Sequence, residues 1–535
     1  MTRDDESLAR ETVAVTLLAA TASIVAAIYY FHTQQILLYG DAVAHLNIAR
    51  RVVDSMTPGP LQLGSPWLPL PHLLMVPFVI FNGWWKSGVA GSLPSMAFYV
   101  LAAVGIYRTI RIYATRLWAT IGWFIFAANP NMLYMQSTAM TEPVYIALFV
   151  WVVYYLANAA KQRHQNPEDS AASLGRCGMV LLFAIMTRYD AWMLALPVLF
   201  GSAVLAFAAT PPSREVRRAF VRVLLLTVLG PLLWMIYNAS VFDDALYFMR
   251  GPYSAQAIEA RSSHSGEAEH PGYHSLKVAT QYFIKSAKTN VSAGRAGNWF
   301  LAFGLLGSFA TLAFRRQIWP LWLLWLPIPF YAWSIAYGSV PLFVPMWWPF
   351  GWYNVRYGLE LLPAFAVFIA LAGGLLLPDR RRMTIAIALL LIVFLSASYA
   401  LVWHKTPISL QEARVNSVDR VRYEKDVAVA LHSVPRGSRM LMYLSDHVGA
   451  VQAAGIPFKN IVNEGNYLHW TWALAAPETQ GVQYVLAASG DPVEKAMQGV
   501  DVCLYPVSAS INDPGEPQTV LYRVGNRKKQ QGCTE

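Results

Sequence analysis

Charge is scarce in this chain. Of 535 residues only 13% are Asp, Glu, Lys or Arg, whereas 56% are hydrophobic; an ordinary soluble domain carries about 25% charged residues. A surface so poor in charge suits a bilayer, and the chain reads as an integral membrane protein. Cysteine is nearly absent as well. Cys177, Cys503 and Cys533 have no metal-ligand spacing, which excludes a disulfide-rich scaffold and a cysteine-built zinc module, although a Cys503–Cys533 bridge is compatible with the sequence. Also missing are a P-loop, a Gly-x-Ser-x-Gly elbow, a His-Glu-x-x-His helix and a Rossmann glycine fingerprint, so no motif supports an energy-coupled or hydrolase reading. Acids are outnumbered by Lys and Arg, 31 to 41. The basic residues fall in short clusters between apolar runs, where they act as topology signals rather than as a nucleic-acid patch.

What the chain has is long apolar runs. A helix crosses the hydrocarbon core with about 20 apolar residues, and eleven spans are expected on that basis. They lie near 12–32, 94–112, 117–134, 141–158, 174–190, 191–209, 219–239, 297–314, 318–336, 355–377 and 382–403. The first run is too long and too poorly terminated for a cleaved signal peptide, and reads as a permanent span. Five basic clusters fall on one side of such a bundle: Arg108, Arg111 and Arg116; Lys161 and Arg163; Arg214, Arg217, Arg218 and Arg222; Arg315 and Arg316; Arg380, Arg381 and Arg382. The positive-inside rule then puts the N-terminus in the cytoplasm and the C-terminal tail outside, as in a multi-pass protein of the plasma (inner) membrane.

The run Trp67 to Trp85 is also hydrophobic, but Pro66, Pro69, Pro71 and Pro77 interrupt it, and counting it as a span would invert every later cluster. It is expected at the outer interface. Before it, Asp41 to Asp54 has helical periodicity, with Val43, Leu46 and Val53 on one side and Asp41 and His45 one turn apart on another. Residues 1–403 thus form a transmembrane module with outer loops 33–93 and 240–296. From 404 to 535 the composition becomes that of a small external α/β domain, with strands expected at Arg439–Leu444, Val482–Ala487 and Thr519–Val524 and a helix at Asp446–Ala454 capped by Ser445 or Asp446.

The candidate chemistry lies at the outer ends of these runs. Asp41, after a glycine at a helix start, is either an N-cap or a general base toward an acceptor hydroxyl or amine, with His45 as its neighbour. Glu142 precedes Pro143 in the first turn of a span, a position the helix dipole favours in any case. As a second outer acid it is a candidate for orienting substrate or cation. Arg188 in Thr187-Arg188-Tyr189-Asp190 either pairs with Asp190 or binds substrate. Arg356, with Tyr357, opens a span from outside; it either snorkels or presents a guanidinium fork to a lipid phosphate. Arg250, with Tyr253 in Phe248-Met249-Arg250-Gly251-Pro252-Tyr253, carries the same two readings. His264, His270, His274, Glu267 and Glu269 share the long outer loop and have the composition, though not the spacing, of a divalent metal site.

Taken in order, these motifs resemble the GT-C superfamily of polyprenyl-phosphate-dependent glycosyltransferases, in particular the aminoarabinose transferases and protein O-mannosyltransferases. Gly40-Asp41 and the amphipathic stretch to Asp54 are similar to the family's first outer loop with its catalytic acid. Trp67-Leu68-Pro69-Leu70-Pro71-His72 matches the next juxtamembrane helix, Thr141-Glu142-Pro143 the second outer acid, Asp244-Ala245-Leu246-Tyr247-Phe248 the start of a long outer loop, and Arg439 to Asp446 the external domain. Family members often have two adjacent acids where this chain has Asp41-Ala42. The basic residue common near the donor phosphate has no counterpart in Gly64-Ser65-Pro66-Trp67, which leaves that charge to Arg188, Arg250 or Arg356.

The resemblance implies a polytopic α-helical membrane enzyme that moves a sugar from a polyprenyl-phosphate donor to an envelope acceptor (a lipid, glycan or protein) with inversion at the anomeric carbon, and with membrane lipid as a further partner. The competing class is a transporter or lipid flippase without covalent chemistry, which would carry ionisable residues in mid-span and repeated halves. Eleven spans predict that reporter fusions after Arg163 and after Trp403 report opposite sides of the membrane; the same side for both overturns the span count.

Overall fold

Inside a bilayer a backbone must satisfy its own hydrogen bonds, so apolar runs of this length fold as helices. The computed structural model describes residues 3–208, 213–262, 269–314, 316–377, 381–445, 447–528 and 532–534. Among these, nine helices are long and apolar enough to cross a membrane: Glu6–His32, Val89–Arg111, Glu142–Gln162, Asp190–Ala208, Arg214–Phe242, Ala296–Ala313, Ile318–Tyr337, Val355–Leu376 and the helical stretch beginning at Arg382. Nine of the expected spans therefore have a counterpart of sufficient length. The run expected at 117–134 is instead a 12-residue helix, Arg116–Ala127, followed by the short helix Pro130–Met135. The break is chemical: Asn129 caps the second helix, its side chain accepting from Met132 N at 3.0 Å, and Pro130 occupies the first turn. The run expected at 174–190 belongs to the helix Pro167–Ile185, whose first turn carries Glu168 and Asp169. The proline-broken run after Trp67 forms a helix of only 10 residues, Leu70–Val79, as expected of a segment that does not span.

The chain divides into two compact units. The first comprises Met1–Gln34, Ser65–Pro71 and Pro94–Glu412 and contains most of the spans. Small residues let its helices approach closely: a Cβ at Gly307 would overlap the carbonyl of Phe368, and one at Gly373 would overlap the Trp118 ring. The segment 240–296 contains a 16-residue helix, Leu276–Val291. It buries Ala279, Tyr282, Phe283, Ser286, Ala287 and Asn290 along one side, and Ser275 caps it.

The second unit comprises Gln35–Gly64, His72–Leu93 and Ala413–Glu535. Composition draws a boundary at 404, whereas this unit joins much of the first outer loop to the tail. Its sheet has β1 (Met440–Met442), β2 (Ile461–Val462), β3 (Tyr484–Ala488), β4 (Cys503–Pro506), β5 (Thr519–Lys528) and β6 (Gly532–Thr534). The order is β2-β1-β3-β5-β4, with β6 on β5; β1 pairs parallel with β2 and β3, and β5 antiparallel with β3 and β4. Leu441, Val462, Val482, Val485 and Val493 form its core. The three expected strands correspond to β1, β3 and β5. The expected helix is Val448–Ala454, with His447 as N-cap; Asp446 lies outside the described residues. Cys503 is disulfide-bonded and Cys177 is free and buried; the side chain of Cys533 lies outside the described set.

The helix Gly40–Val53 is built into this second unit by polar groups. Asn47 Nδ2 donates to Gln452 Oε1 at 2.6 Å, and Gln452 Nε2 donates to Trp85 O at 3.0 Å. Asp54, ion-paired to Arg50 at 2.8 Å, accepts from Phe458 N and Lys459 N at 3.3 Å each. Arg420 donates to the carbonyls of Leu37 and Leu38 at 3.0 and 2.9 Å, just before the helix begins.

Acid should loosen this unit. His447 is buried, its Nδ1 3.3 Å from the Tyr423 hydroxyl, and burial pushes its imidazole down to about 4. An unfolded histidine titrates at about 6.5, so the unfolded state binds the proton more readily. Stability from the neutral ring is complete above about pH 6.5 and is lost as pH falls toward 4, by about 3 kcal/mol in total. His447→Leu should flatten this dependence, read as hydrogen-exchange protection of β1 and β3 amides in the full-length protein at pH 7 and pH 4.5. Equal acid losses in variant and wild type would assign the sensitivity to other groups.

Candidate active site

Glu142, Arg188, Arg356 and Tyr357 come together in the first unit as parts of a buried charge network. Arg188 follows the helix Pro167–Ile185, and Asp190 opens the next, Asp190–Ala203. The two side chains pair at 3.1 Å, as their spacing suggested. Arg188 also reaches Glu142 at 3.5 Å, Glu360 at 3.4 Å, the Thr141 hydroxyl at 3.1 Å and the Tyr331 hydroxyl at 2.9 Å. Tyr331 OH lies 2.7 Å from Glu360 Oε1 and 3.1 Å from Asp190 Oδ2.

Arg356 stands on the 3-10 helix Val355–Leu361, entered through Asn354 in the left-handed region at φ 56°. It is 6% exposed, too buried for snorkelling. Its Nε meets Glu142 Oε1 at 3.1 Å and its Nη1 meets Glu412 Oε1 at 3.4 Å. Glu412 also accepts from the backbone N–H groups of Val355 and Arg356 at 3.2 and 3.1 Å, which fixes the start of that helix. The Tyr357 ring lies under both guanidiniums, 5.2 Å from Arg188 and 5.1 Å from Arg356.

Glu142, expected as a second outer acid, is 0% exposed. Both arginines address its Oε1, while its Oε2 and the Oε2 of Glu360 are buried without a hydrogen-bond partner. Four carboxylates face two guanidiniums, so the network retains acceptor capacity for a hydroxyl, an ammonium or a proton. Arg250 stands apart from it: its side chain is 65% exposed and lies 3.6 Å from Asp244. Tyr253, three residues on, is half-buried.

Asp41 and His45 lie in the second unit. Tyr39, with extended backbone angles, is the N-cap of Gly40–Val53 and makes no side-chain cap bond; Asp41 is in the first turn. The N-cap alternative for Asp41 therefore gives way to a first-turn carboxylate, favourably placed in the helix dipole. Asp41 is half-buried and His45 is 2% exposed. His45 Nδ1 lies 2.9 Å from Nε2 of His72, on the Leu70–Val79 helix. His72 was seen in the sequence only as part of a proline-rich motif.

Of the metal candidates, His264 and Glu267 lie outside the described residues. His270 Nε2 is 3.1 Å from Glu259, and His274 has φ 51° and stacks on Tyr273 at 4.2 Å. Among the described residues no group of three or more His, Cys, Asp or Glu is arranged to hold a metal ion.

No protein-family model and no curated protein sequence matches the chain. Solved structures do. ArnT from Cupriavidus metallidurans bound to undecaprenyl phosphate superposes with a TM-score of 0.56 at 13% identity, covering 96% of this chain and 97% of that one. The chain shares the fold of that structure. The archaeal oligosaccharyltransferase AglB from Archaeoglobus fulgidus, in complex with an inhibitory peptide and a dolichol-phosphate, gives a TM-score of 0.50 at 13% identity, covering 89% of this chain and 69% of that one. Along this chain Asp41, the Leu70–Val79 helix, Glu142 and a C-terminal sheet follow one another in the expected order, and Glu142 is buried.

The network separates a structural from a ligand-binding Arg356. Arg356→Met leaves Glu142 and Glu412 without that guanidinium in a buried site, where breaking a pair from one side costs about 3–5 kcal/mol. The thermal midpoint in detergent should fall markedly. A lower affinity for a lipid phosphate at an unchanged midpoint would instead assign Arg356 to ligand binding alone.

Proposed function

We propose that this chain is a membrane glycosyltransferase that moves a sugar from a polyprenyl-phosphate donor to an acceptor at the outer face of the plasma (inner) membrane. The observation that carries the reading is the GT-C fold, extending over 96% of the chain. In this reading the N-terminus is cytoplasmic and the 404–535 domain is external. Asp41 takes the proton from the acceptor nucleophile as the nucleophile attacks the anomeric carbon in line. The C–O bond to the phosphate breaks, its electron pair leaves with the lipid phosphate, and the configuration inverts. Glu142 holds Arg188 and Arg356, whose charge, with that of Arg250, offsets the developing negative charge of the leaving group. His45, Tyr253 and Tyr357 complete the substrate contacts.

Transport has less support. Glu142 and Asp190 sit in the first turns of their spans, and Glu360 within two turns of the start of its own, rather than in mid-span where a pathway through the bilayer needs charge. EDTA tests the capacity of the 264–274 loop to recruit a divalent cation: loss of transfer restored by one added metal gives that ion a role.

Asp41→Asn tests the base. Asparagine is nearly isosteric but cannot take the proton, and positioned proton transfer contributes about 10²- to 10⁴-fold in rate. The variant, in detergent or nanodiscs with a radiolabelled polyprenyl-phosphate sugar, should melt like wild type and transfer at least about 100-fold more slowly. Near-normal turnover by well-folded Asp41→Asn would remove Asp41 from the chemistry.

A further inference from the structure

His72 has no part in the reaction above, yet it is paired with His45, one helical turn from the residue on which that reaction depends. His45 is 2% and His72 0% exposed, and their facing nitrogens are 2.9 Å apart, so one ring donates to the other. Two arrangements satisfy that distance. In one, His45 Nδ1–H donates to His72 Nε2, and the neutral His72 ring carries its proton on Nδ1. In the other, His72 Nε2–H donates to His45 Nδ1, and His72 Nδ1 is a bare lone pair.

His72 Nδ1 itself decides between them. It is buried with no hydrogen-bond partner. A buried N–H without an acceptor is among the rarest features of folded proteins, whereas an under-used acceptor is better tolerated. Protonating both nitrogens is no way out: burial, followed by the charges of His45 and Arg51, holds the His72 imidazole well below its usual range. The second arrangement is therefore favoured, and the hydrogen bond on one His45 nitrogen sets the state of the other.

We propose that His72 is a positioning residue for Asp41: by donating from Nε2–H to His45 Nδ1 it fixes His45 as the Nε2–H tautomer and turns that hydrogen toward the carboxylate one helical turn earlier. Residues i and i+4 are neighbours on a helix surface, so the spacing of Asp41 and His45 brings a donor to the acid. The role rests on the reading of Asp41 as the base. It orients the carboxylate for the approaching acceptor.

The charged surroundings fit a neutral pair. On the same helix Arg50 is taken up by Asp54 at 2.8 Å, and Arg51 bears on both His72 and Glu464. The helix Val448–Ala454 and the turn Pro60–Leu63, which pack on Gly40–Val53, contain no titratable side chain. His72 is the only titratable residue of Leu70–Val79. Asn82–Ser87 contributes Lys86, and near Gly40 stands Arg420, itself held by Glu424 at 2.7 Å.

The test has one arm that needs no activity. Nitrogen-15 labelling of histidine in the full-length protein, with His45 and His72 signals assigned by difference against His45→Gln and His72→Gln, reads the tautomers directly. At neutral pH His45 should carry its proton on Nε2 and His72 should be neutral with a bare Nδ1; a proton on His45 Nδ1 overturns the proposal. The second arm is transfer. His72→Leu, which cannot donate, should lower kcat by up to about 100-fold with little change in KM for the donor, and should move the acid limb of the pH profile upward. His72→Gln, whose amide can donate, should restore most of the rate and the wild-type limb. Equal profiles for wild type and His72→Leu, at matched thermal midpoints, would reduce the pair to a packing contact. The predicted tautomers together with an active Asp41→Asn would remove the base and, with it, the positioning role.

Discussion

The burial of Arg188 and Arg356 is the constraint around which the span unit is arranged. A guanidinium withdrawn from water is tolerated only among carboxylates with good geometry, and here those carboxylates come from four separate places in the chain. Glu142 and Asp190 open two helices, Glu360 lies on the 3-10 turn after Asn354, and Glu412 follows the last apolar run. Each can reach the arginines only if all of these helix ends stand at one level. Tyr331, hydrogen-bonded to Arg188 and stacked 5.0 Å from Tyr357, adds a fifth element. Apolar packing does not distinguish one register of a helix from the next; a shared set of ion pairs does, and that makes the network a register device as well as a candidate site.

The second unit uses the same principle with uncharged groups. Asn47 is 0% exposed in the middle of Gly40–Val53, where an amide would be costly without partners. It donates to Gln452 Oε1 at 2.6 Å and accepts from the Trp85 indole at 2.9 Å, so the helix that carries Asp41 is fixed to a segment 405 residues away. The tail thereby gains a purpose that its composition does not announce. It holds the helix Gly40–Val53 through Gln452, Phe458 and Lys459.

Much of the fold was legible because it depends on periodicity and on punctuation. Apolar length marked nine spans, alternation marked β1, β3 and β5, and Pro69, Pro71 and Pro77 kept Leu70–Val79 out of the span count. The break within 117–134 has a specific cause: Asn129-Pro130, a cap and first-turn pair in plain sight, divides the apolar run into two helices. Leu276–Val291 was likewise recoverable from Ser275 and the spacing of Ala279, Tyr282, Phe283 and Ser286. The site was legible by residue type but not by partner. Arg188–Asp190 is a two-residue spacing and could be foreseen. Arg356–Glu142 spans 214 positions and His45–His72 spans 27, and no local pattern encodes such pairs. Glu412 is the clearest omission, for nothing in its neighbourhood sets it apart from a solvated helix acid.

The two acids first singled out are alike in sequence, each near a helix start beside an apolar run, and the folded chain gives them different fates. Glu142 is sealed at 0% exposure with two guanidiniums on one oxygen; an acceptor molecule would have to dismantle the network to reach it. Asp41 is half-buried in a first turn, open enough to be approached and one helical turn from His45. Environment, more than residue type, divides work between carboxylates. That difference in access is the basis for proposing Asp41 as the proton acceptor and Glu142 as the holder of cations, and it is why an acid with so bland a sequence context stands at the centre of the proposed chemistry.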